Sequence, residues 1–138
     1  MYSQRLDCED LQQRKAPYDG VRAYAQAKRA EVLLTERAAA CLSQRGIIAQ
    51  AMHPGWADTP AVRSSLPRFY KVTKGILRTP EQGADTIVWL AVAPRLAGKS
   101  GLFWFDREPV SPHLVGWTKE SAQQREQLAT LVEQAVSR

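Results

Sequence analysis

The sequence predicts an α/β fold with parallel strands, and three observations carry that expectation. Residues 21–42 contain no proline or glycine, are rich in alanine and leucine, and place Val21, Ala25, Lys28, Val32 and Leu33 near helical spacing, which predicts a long helix. That helix leads within a few residues into IIAQAM at 47–52, a mostly apolar run of strand length. A second helix, begun by TPEQ at 79–82, is likewise followed by an apolar run, LFWFD at 102–106. A helix feeding directly into a buried-type strand is what a parallel crossover requires.

Each boundary has a local reason. Pro17, Asp19 and Gly20 mark the entry of the first helix and Gly46 its exit, and His53, Pro54 and Gly55 end the strand that follows. In TPEQ, Thr79 is placed to cap, Pro80 to take the first helical position and Gln82 to reach back to the cap. This helix continues through Ala84, Ile87, Val88, Leu90 and Ala91 to Pro94, and a loop with Gly98 and Gly101 precedes the second strand. Residues 109–116 read as irregular, and 119–136 as a polar terminal helix with Leu128, Leu131, Val132 and Ala135 on one side. The total is about two strands and three to four helices, too few for a sheet covered on both faces, where four to six strands are usual. Residues 1–138 are therefore expected to form a single partial domain, the end of a larger α/β unit.

Composition narrows the function classes. A chain of 138 residues with 44% apolar content suits one domain with a core. Its longest apolar run, 87–93, falls far short of the ~20 residues that span a bilayer, and MYSQRLDCED has no apolar signal region, so a soluble cytoplasmic chain without a membrane span is expected. Cys8, Cys41, His53 and His113 offer neither a disulfide framework nor a metal-ligand cluster. The net charge of +5 comes from one segment: Arg63, Arg68, Lys71, Lys74 and Arg78 lie between Asp58 and Glu81 with no acidic residue among them. That concentration argues against nucleic acid as the partner. It leaves two readings, a solvated loop, which is the commoner case, and a lid that meets something anionic.

Two tyrosine–lysine pairs stand one helical turn apart, Tyr24 with Lys28 in YAQAK and Tyr70 with Lys74 in YKVTK. A phenol with an ordinary pKa of about 10 is a poor base at pH 7, and an ammonium on the same helical face stabilises its phenolate. A phenol tuned in this way can give a proton to a carbonyl oxygen or take one from an alcohol. Tyr24 and Lys28 lie in the long predicted helix, whereas Tyr70 and Lys74 lie between Pro67 and Gly75, where no rigid element is predicted, so the second pair reads as coincidence.

YAQAK on a long helix, HPGWADT about thirty residues later, a capped helix and a short apolar strand together resemble the C-terminal half of a short-chain dehydrogenase/reductase, over nearly the whole chain. The resemblance implies the C-terminal part of a Rossmann-like, doubly wound parallel sheet and hydride transfer between a small carbonyl or alcohol compound and NAD or NADP. It implies Tyr24 as catalytic acid/base, and Lys28 as the residue that lowers its pKa and hydrogen-bonds the nicotinamide ribose. Pro54 and Gly55 would shape the turn beside the nicotinamide and Thr59 would contact its carboxamide, while 60–78 would be the substrate loop. Trp56 has two readings, packing on the cofactor or the commoner buried structural role. The family's nucleotide-binding half and its substrate-orienting serine would precede Met1, and Ser3 is a poor surrogate for that serine. By resemblance the chain is expected to be a truncated form begun from an internal methionine, a splice form or a gene fragment. It would be inactive alone, with assembly as a homo-oligomer or pairing with a full-length relative as the partner expectations.

Overall fold

Asp19 opens the first helix. Its carboxylate accepts from the amides of Val21 at 2.9 Å and Arg22 at 3.2 Å, donors that a helix start leaves unpaired, and α1 then runs over Gly20–Leu42. One 3₁₀ turn follows, and Gly46 at φ +70° ends it in the left-handed region. The computed structural model describes residues 2, 4–15, 17–96 and 98–137; Met1 and Ser3, on which expectations of the sequence bear, lie outside the described residues.

The sheet is mixed and has three strands, β1 (Ala51–Met52), β2 (Phe103–Phe105) and β3 (Glu108–Pro109), in the order β1-β2-β3. β1 and β2 are parallel, as the crossover pattern predicts, with Ala51 opposite Phe103. The first strand is shorter than 47–52 because a side chain replaces its backbone pairing. Gln50 donates from Nε2 to the carbonyl of Lys99 at 2.6 Å, and its Oε1 accepts from the amide of Leu102 at 3.1 Å and the indole of Trp104 at 3.0 Å. β3, which no reading of the sequence placed, runs antiparallel to β2 into the start of the stretch read as irregular, at Pro109. Asp106 and Arg107 make the two-residue turn between them at φ 51° and 62°, a conformation usually given to glycine or asparagine, so the sequence carries no hairpin signal. Ion pairs to other elements hold both residues there: Asp106 meets Arg78, with Nη2 to Oδ2 at 2.6 Å, and Arg107 meets Asp85, with Nε to Oδ2 at 2.7 Å.

Segment 60–78 is helical as far as Thr73, which corrects the expectation that no rigid element lies between Pro67 and Gly75. α2 (Pro60–Ser65) and α3 (Pro67–Thr73) each start on a proline, whose fixed φ suits a first helical position. α4 (Pro80–Val92) begins with the capping box read from TPEQ, and α5 (Ala122–Val136) with a second box from Ser121 and Gln124. The described residues thus hold five α-helices and three strands, against the three to four and two expected.

Two packing centres hold these elements. β2 buries Phe103 and Trp104 on opposite faces of the sheet, and Trp104 meets Trp89 of α4 edge to face at 5.4 Å between ring centroids. The second centre joins the first residues to α1 and α5 through Leu6, Cys8, Leu33 and Leu128. Of the residues read at helical spacing in α1, Ala25, Val32 and Leu33 are buried and Val21 is exposed.

A buried ionic network fastens the chain after β3 to α1. Arg29 is fully buried, its Nε is 2.7 Å from Oε1 of Glu120, whose side chain is 1% exposed, and its Nη1 donates to the carbonyl of Pro112 at 2.7 Å. The Nε contact is a charge pair without hydrogen-bond alignment. Arg29 Nη2 also meets His113 Nδ1, which stands 3.1 Å from the Thr118 hydroxyl. Arg125 of α5 reaches Glu36 of α1 and comes within 4.0 Å of Glu120. Glu120→Gln should lower stability by roughly 3–5 kcal/mol in urea denaturation, because it leaves the Arg29 charge buried without its counter-ion, and Arg29→Met with Glu120→Leu should recover most of the loss.

Burial and the Arg29 cation lower the pKa of His113, with Glu120 opposing them and Lys119 and Arg125 adding to the fall. A depressed pKa means the unfolded chain binds the proton more readily, so the stability contributed by neutral His113 is complete above the unfolded value of about 6.5 and is lost as pH falls through the folded one. Between pH 7.5 and 5.5 the denaturation midpoint should therefore fall, and His113→Gln should flatten that dependence.

Candidate functional site

Tyr24 and Lys28 project from the second and third turns of α1. The phenol is 66% exposed and Lys28 Nζ stands 5.8 Å from the centroid of its ring, so the pair shares one face. Lys28 also bonds both carboxylate oxygens of Glu31 at 2.8 Å. That bond is the main cause that raises the lysine pKa and holds the ammonium charged. Glu31 was not anticipated, although its position three residues on along a helix was available to be read.

The second group is the turn that leaves the carboxyl end of β1. His53 donates its amide to the Trp104 carbonyl at 2.9 Å, which ties the turn to β2. Its Nδ1 accepts from the Gly55 amide at 2.8 Å, so the proton of the neutral ring sits on Nε2. Burial and the nearby Arg78 push the pKa of His53 down. Tyr2 and Phe105 flank the same ring at 5.7 and 5.9 Å between centroids, contacts that no local pattern announces.

Gly55 has φ +76°, and a Cβ there would stand 2.8 Å from Nε of Arg78. The glycine therefore serves both backbone conformation and close approach. Arg78 lies over the Phe105 ring at 4.8 Å, and its backbone zips to the turn: its amide donates to the Trp56 carbonyl at 2.9 Å and its carbonyl accepts from Asp58 at 2.8 Å. Thr59 caps α2, its Oγ1 accepting from the Val62 amide at 3.3 Å, which leaves the hydroxyl proton available to donate elsewhere. Trp56 is not the buried structural tryptophan that base rates favour; it is 53% exposed and packs on Phe69 at 4.6 Å.

Tyr70 does not join Lys74. Its hydroxyl faces Asp58 Oδ2 at 3.4 Å, and Asp58 also takes a two-pronged bond from Arg63 at 2.6 and 2.9 Å, which lowers its pKa. These contacts fix α2 and α3 to the turn. Among the described residues, no hydrogen bond, ion pair or ring contact links Tyr24 or Lys28 to residues 53–59. An open groove of about 700 Å³ lies elsewhere, between residues 4–9, α1 and the start of α5, and residues 24, 28 and 53–59 take no part in it. Among the described residues, no group of His, Cys, Asp and Glu is arranged to hold a metal ion. Among the described residues, no helix is long and apolar enough to cross a membrane.

The molecule is thus an α/β chain with a glycine turn at the carboxyl end of a parallel strand, the edge where sheets of this class bind ligands. Its sequence is 44% identical over 136 residues to "Dehydrogenase/reductase SDR family member 12" of Homo sapiens, covering 97% of the chain and 42% of that protein. The protein of the same name from Bos taurus is 41% identical over 140 residues, covering 100% and 44%. "Retinol dehydrogenase 13" of Homo sapiens is 33% identical over 107 residues, covering 72% of the chain and 32% of that protein. No family model and no solved structure matches the chain. The chain belongs to the short-chain dehydrogenase/reductase family, and it spans less than half the length of these relatives.

Gly55→Ala should cost roughly 1–2 kcal/mol of stability, since a Cβ at this φ is strained and Arg78 must move away. A thermal melt that matches the unsubstituted chain would show that neither constraint operates.

Proposed function

We propose that this chain carries the proton-transfer and nicotinamide-binding part of an NAD(P)-dependent oxidoreductase that interconverts a small carbonyl compound and its alcohol. The observation that carries the reading is the Tyr24–Lys28 pair on one rigid helix, in a chain whose next strand ends in the Pro54–Gly55 turn. Bound NAD or NADP supplies or accepts the hydride.

Tyr24 is the acid/base: its exposed hydroxyl gives a proton to the substrate oxygen during reduction and takes it back during oxidation. Lys28 sets the charge beside that phenol. Two of its three ammonium hydrogens are directed to Glu31, which leaves one for a ribose hydroxyl. Pro54 shapes the turn, Gly55 offers backbone without a Cβ at the place of closest approach, and the free hydroxyl proton of Thr59 suits a carboxamide oxygen. The helices of 60–78, fixed through Asp58, form the wall of the substrate site.

The residues present fit the nicotinamide end of the cofactor. They do not fit its diphosphate, because none of the eight glycines falls at the G-x-G-x-x-G spacing that would cradle it. The remaining binding surface is assigned to the part of the relatives that this chain does not match. Turnover then depends on that part, and the chain alone is inactive. The Rossmann-like doubly wound sheet, the cytoplasmic setting and self-association through α1 or α4 belong to the same reading.

One observation favours a second reading, a non-catalytic fragment that pairs with a full-length relative. Ala51 and His53 turn their backbone groups toward β2, so Met52 between them presents its amide and carbonyl at the open edge of the sheet.

Fluorescence titration of the chain with NADH and with NADPH should give saturable binding that Lys28→Ala weakens at least tenfold. In a chimera with the unmatched part of the human relative, Tyr24→Phe should lower kcat about 100-fold or more while leaving cofactor affinity within a few fold. Unchanged turnover in that variant would falsify the assignment of Tyr24. A 1:1 complex with the full-length relative, without cofactor binding by the chain, would favour the second reading.

A further inference from the structure

The basic segment has an outer face that the candidate site does not use. On α3, Phe69 turns inward to Trp56 and Tyr70 to Asp58, and the Thr73 hydroxyl bonds back to the Phe69 carbonyl at 2.8 Å. Helical geometry then sends Arg68, Lys71 and Val72 to the opposite side, and Ile76 follows in the turn that ends the helix, its amide bonded to the Thr73 carbonyl at 2.9 Å. Val72 is 85% exposed and Ile76 84%, among the most exposed large aliphatic residues described.

The charges around this tip divide into two groups. Arg63 and Arg78 are neutralised by Asp58 and Asp106. Arg68, Lys71 and Lys74 are exposed, and among the described residues none of the three has an acidic partner. No acidic residue occurs between Asp58 and Glu81 to supply one.

The geometry points to an anionic lipid surface as the partner of this face: Arg68, Lys71 and Lys74 meet the headgroups while Val72 and Ile76 enter the boundary between headgroups and acyl chains. Charge complementarity selects an anionic surface, and the aliphatic tip selects lipid over nucleic acid, whose phosphate backbone gains nothing from two branched hydrocarbon side chains. The short helix and small tip make the attachment shallow and reversible, lying on the membrane without crossing it. The inference does not rest on the proposed reaction, since it uses none of Tyr24, Lys28, Pro54, Gly55 or Thr59.

The test is co-sedimentation of the 138-residue chain with vesicles of phosphatidylcholine, with and without about 30% phosphatidylserine. Binding should require phosphatidylserine and should be released when salt is raised from about 0.1 to about 0.5 M, as the Debye length falls below the reach of the side chains. Arg68→Gln with Lys71→Gln and Lys74→Gln should lower partitioning roughly 100-fold, about fivefold per charge. Val72→Ser with Ile76→Ser should lower it about tenfold or more without altering the thermal melt, because both side chains face solvent. Indifference to phosphatidylserine, or full binding by the triple variant, overturns the inference. So does binding that survives loss of Val72 and Ile76 and is matched on double-stranded DNA, which would make this a general polyanion surface. Release of the unsubstituted chain by salt keeps the test decisive if a variant fails to fold.

Discussion

The buried guanidinium of Arg29 is the constraint on which the rest of the arrangement depends. Its charge cannot be left in the interior without a counter-ion, and the counter-ion comes from Glu120, some ninety residues along the chain. Meeting that need draws residues 112–120 back across α1, with the Pro112 carbonyl accepting from Nη1 and His113 meeting Nη2. α5 starts immediately afterwards, capped by Ser121, so the place where the ion pair forms also decides where the last helix packs. The apolar cluster of Leu33 with Leu128 and the link from Arg125 to Glu36 follow from that placement.

α1 thereby does two jobs. One side is held by the ionic network and the apolar residues next to it, which removes the freedom of the helix to rotate. The other side carries Tyr24 and Lys28 into the open. The proton transfer proposed for Tyr24 needs an exposed hydroxyl on a backbone that does not move, and a 23-residue helix pinned from beneath would meet both requirements. At the turn of 53–59 the solution differs. There the rigidity comes from short-range backbone bonds to β2 and to Arg78, and from Asp58, which gathers Arg63 and Tyr70 of the two small helices.

Much of this was legible because the signals are local. The capping box at Thr79 and Gln82, the long proline-free run of α1 and the glycine exit at Gly46 depend on residues within one or two turns of each other. What was missed depends on partners far away. The hairpin at Asp106 and Arg107 puts two non-glycine residues at positive φ, and each is paired with a distant side chain, Arg78 and Asp85. β1 is short because the Gln50 side chain takes bonds that a strand backbone would make. Segment 60–78 looked like a charged loop because its helices are brief and proline-led, and their inner contacts, Phe69 on Trp56 and Tyr70 on Asp58, cannot be read from periodicity.

By itself the sequence determined the class of fold, the order and caps of the main helices, the parallel pairing of the two apolar strands, and the family through YAQAK and HPGWADT. These rest on propensity, short-range hydrogen bonding and hydrophobic runs, which act over a few residues. The tertiary structure alone decided that Arg29 is buried and Tyr24 exposed on the same helix, that Lys28 answers to Glu31 as well as to Tyr24, and that the cations of one segment divide into paired and unpaired groups. Burial and charge pairing are properties of neighbours in space, and the chain acquires those neighbours only when it folds.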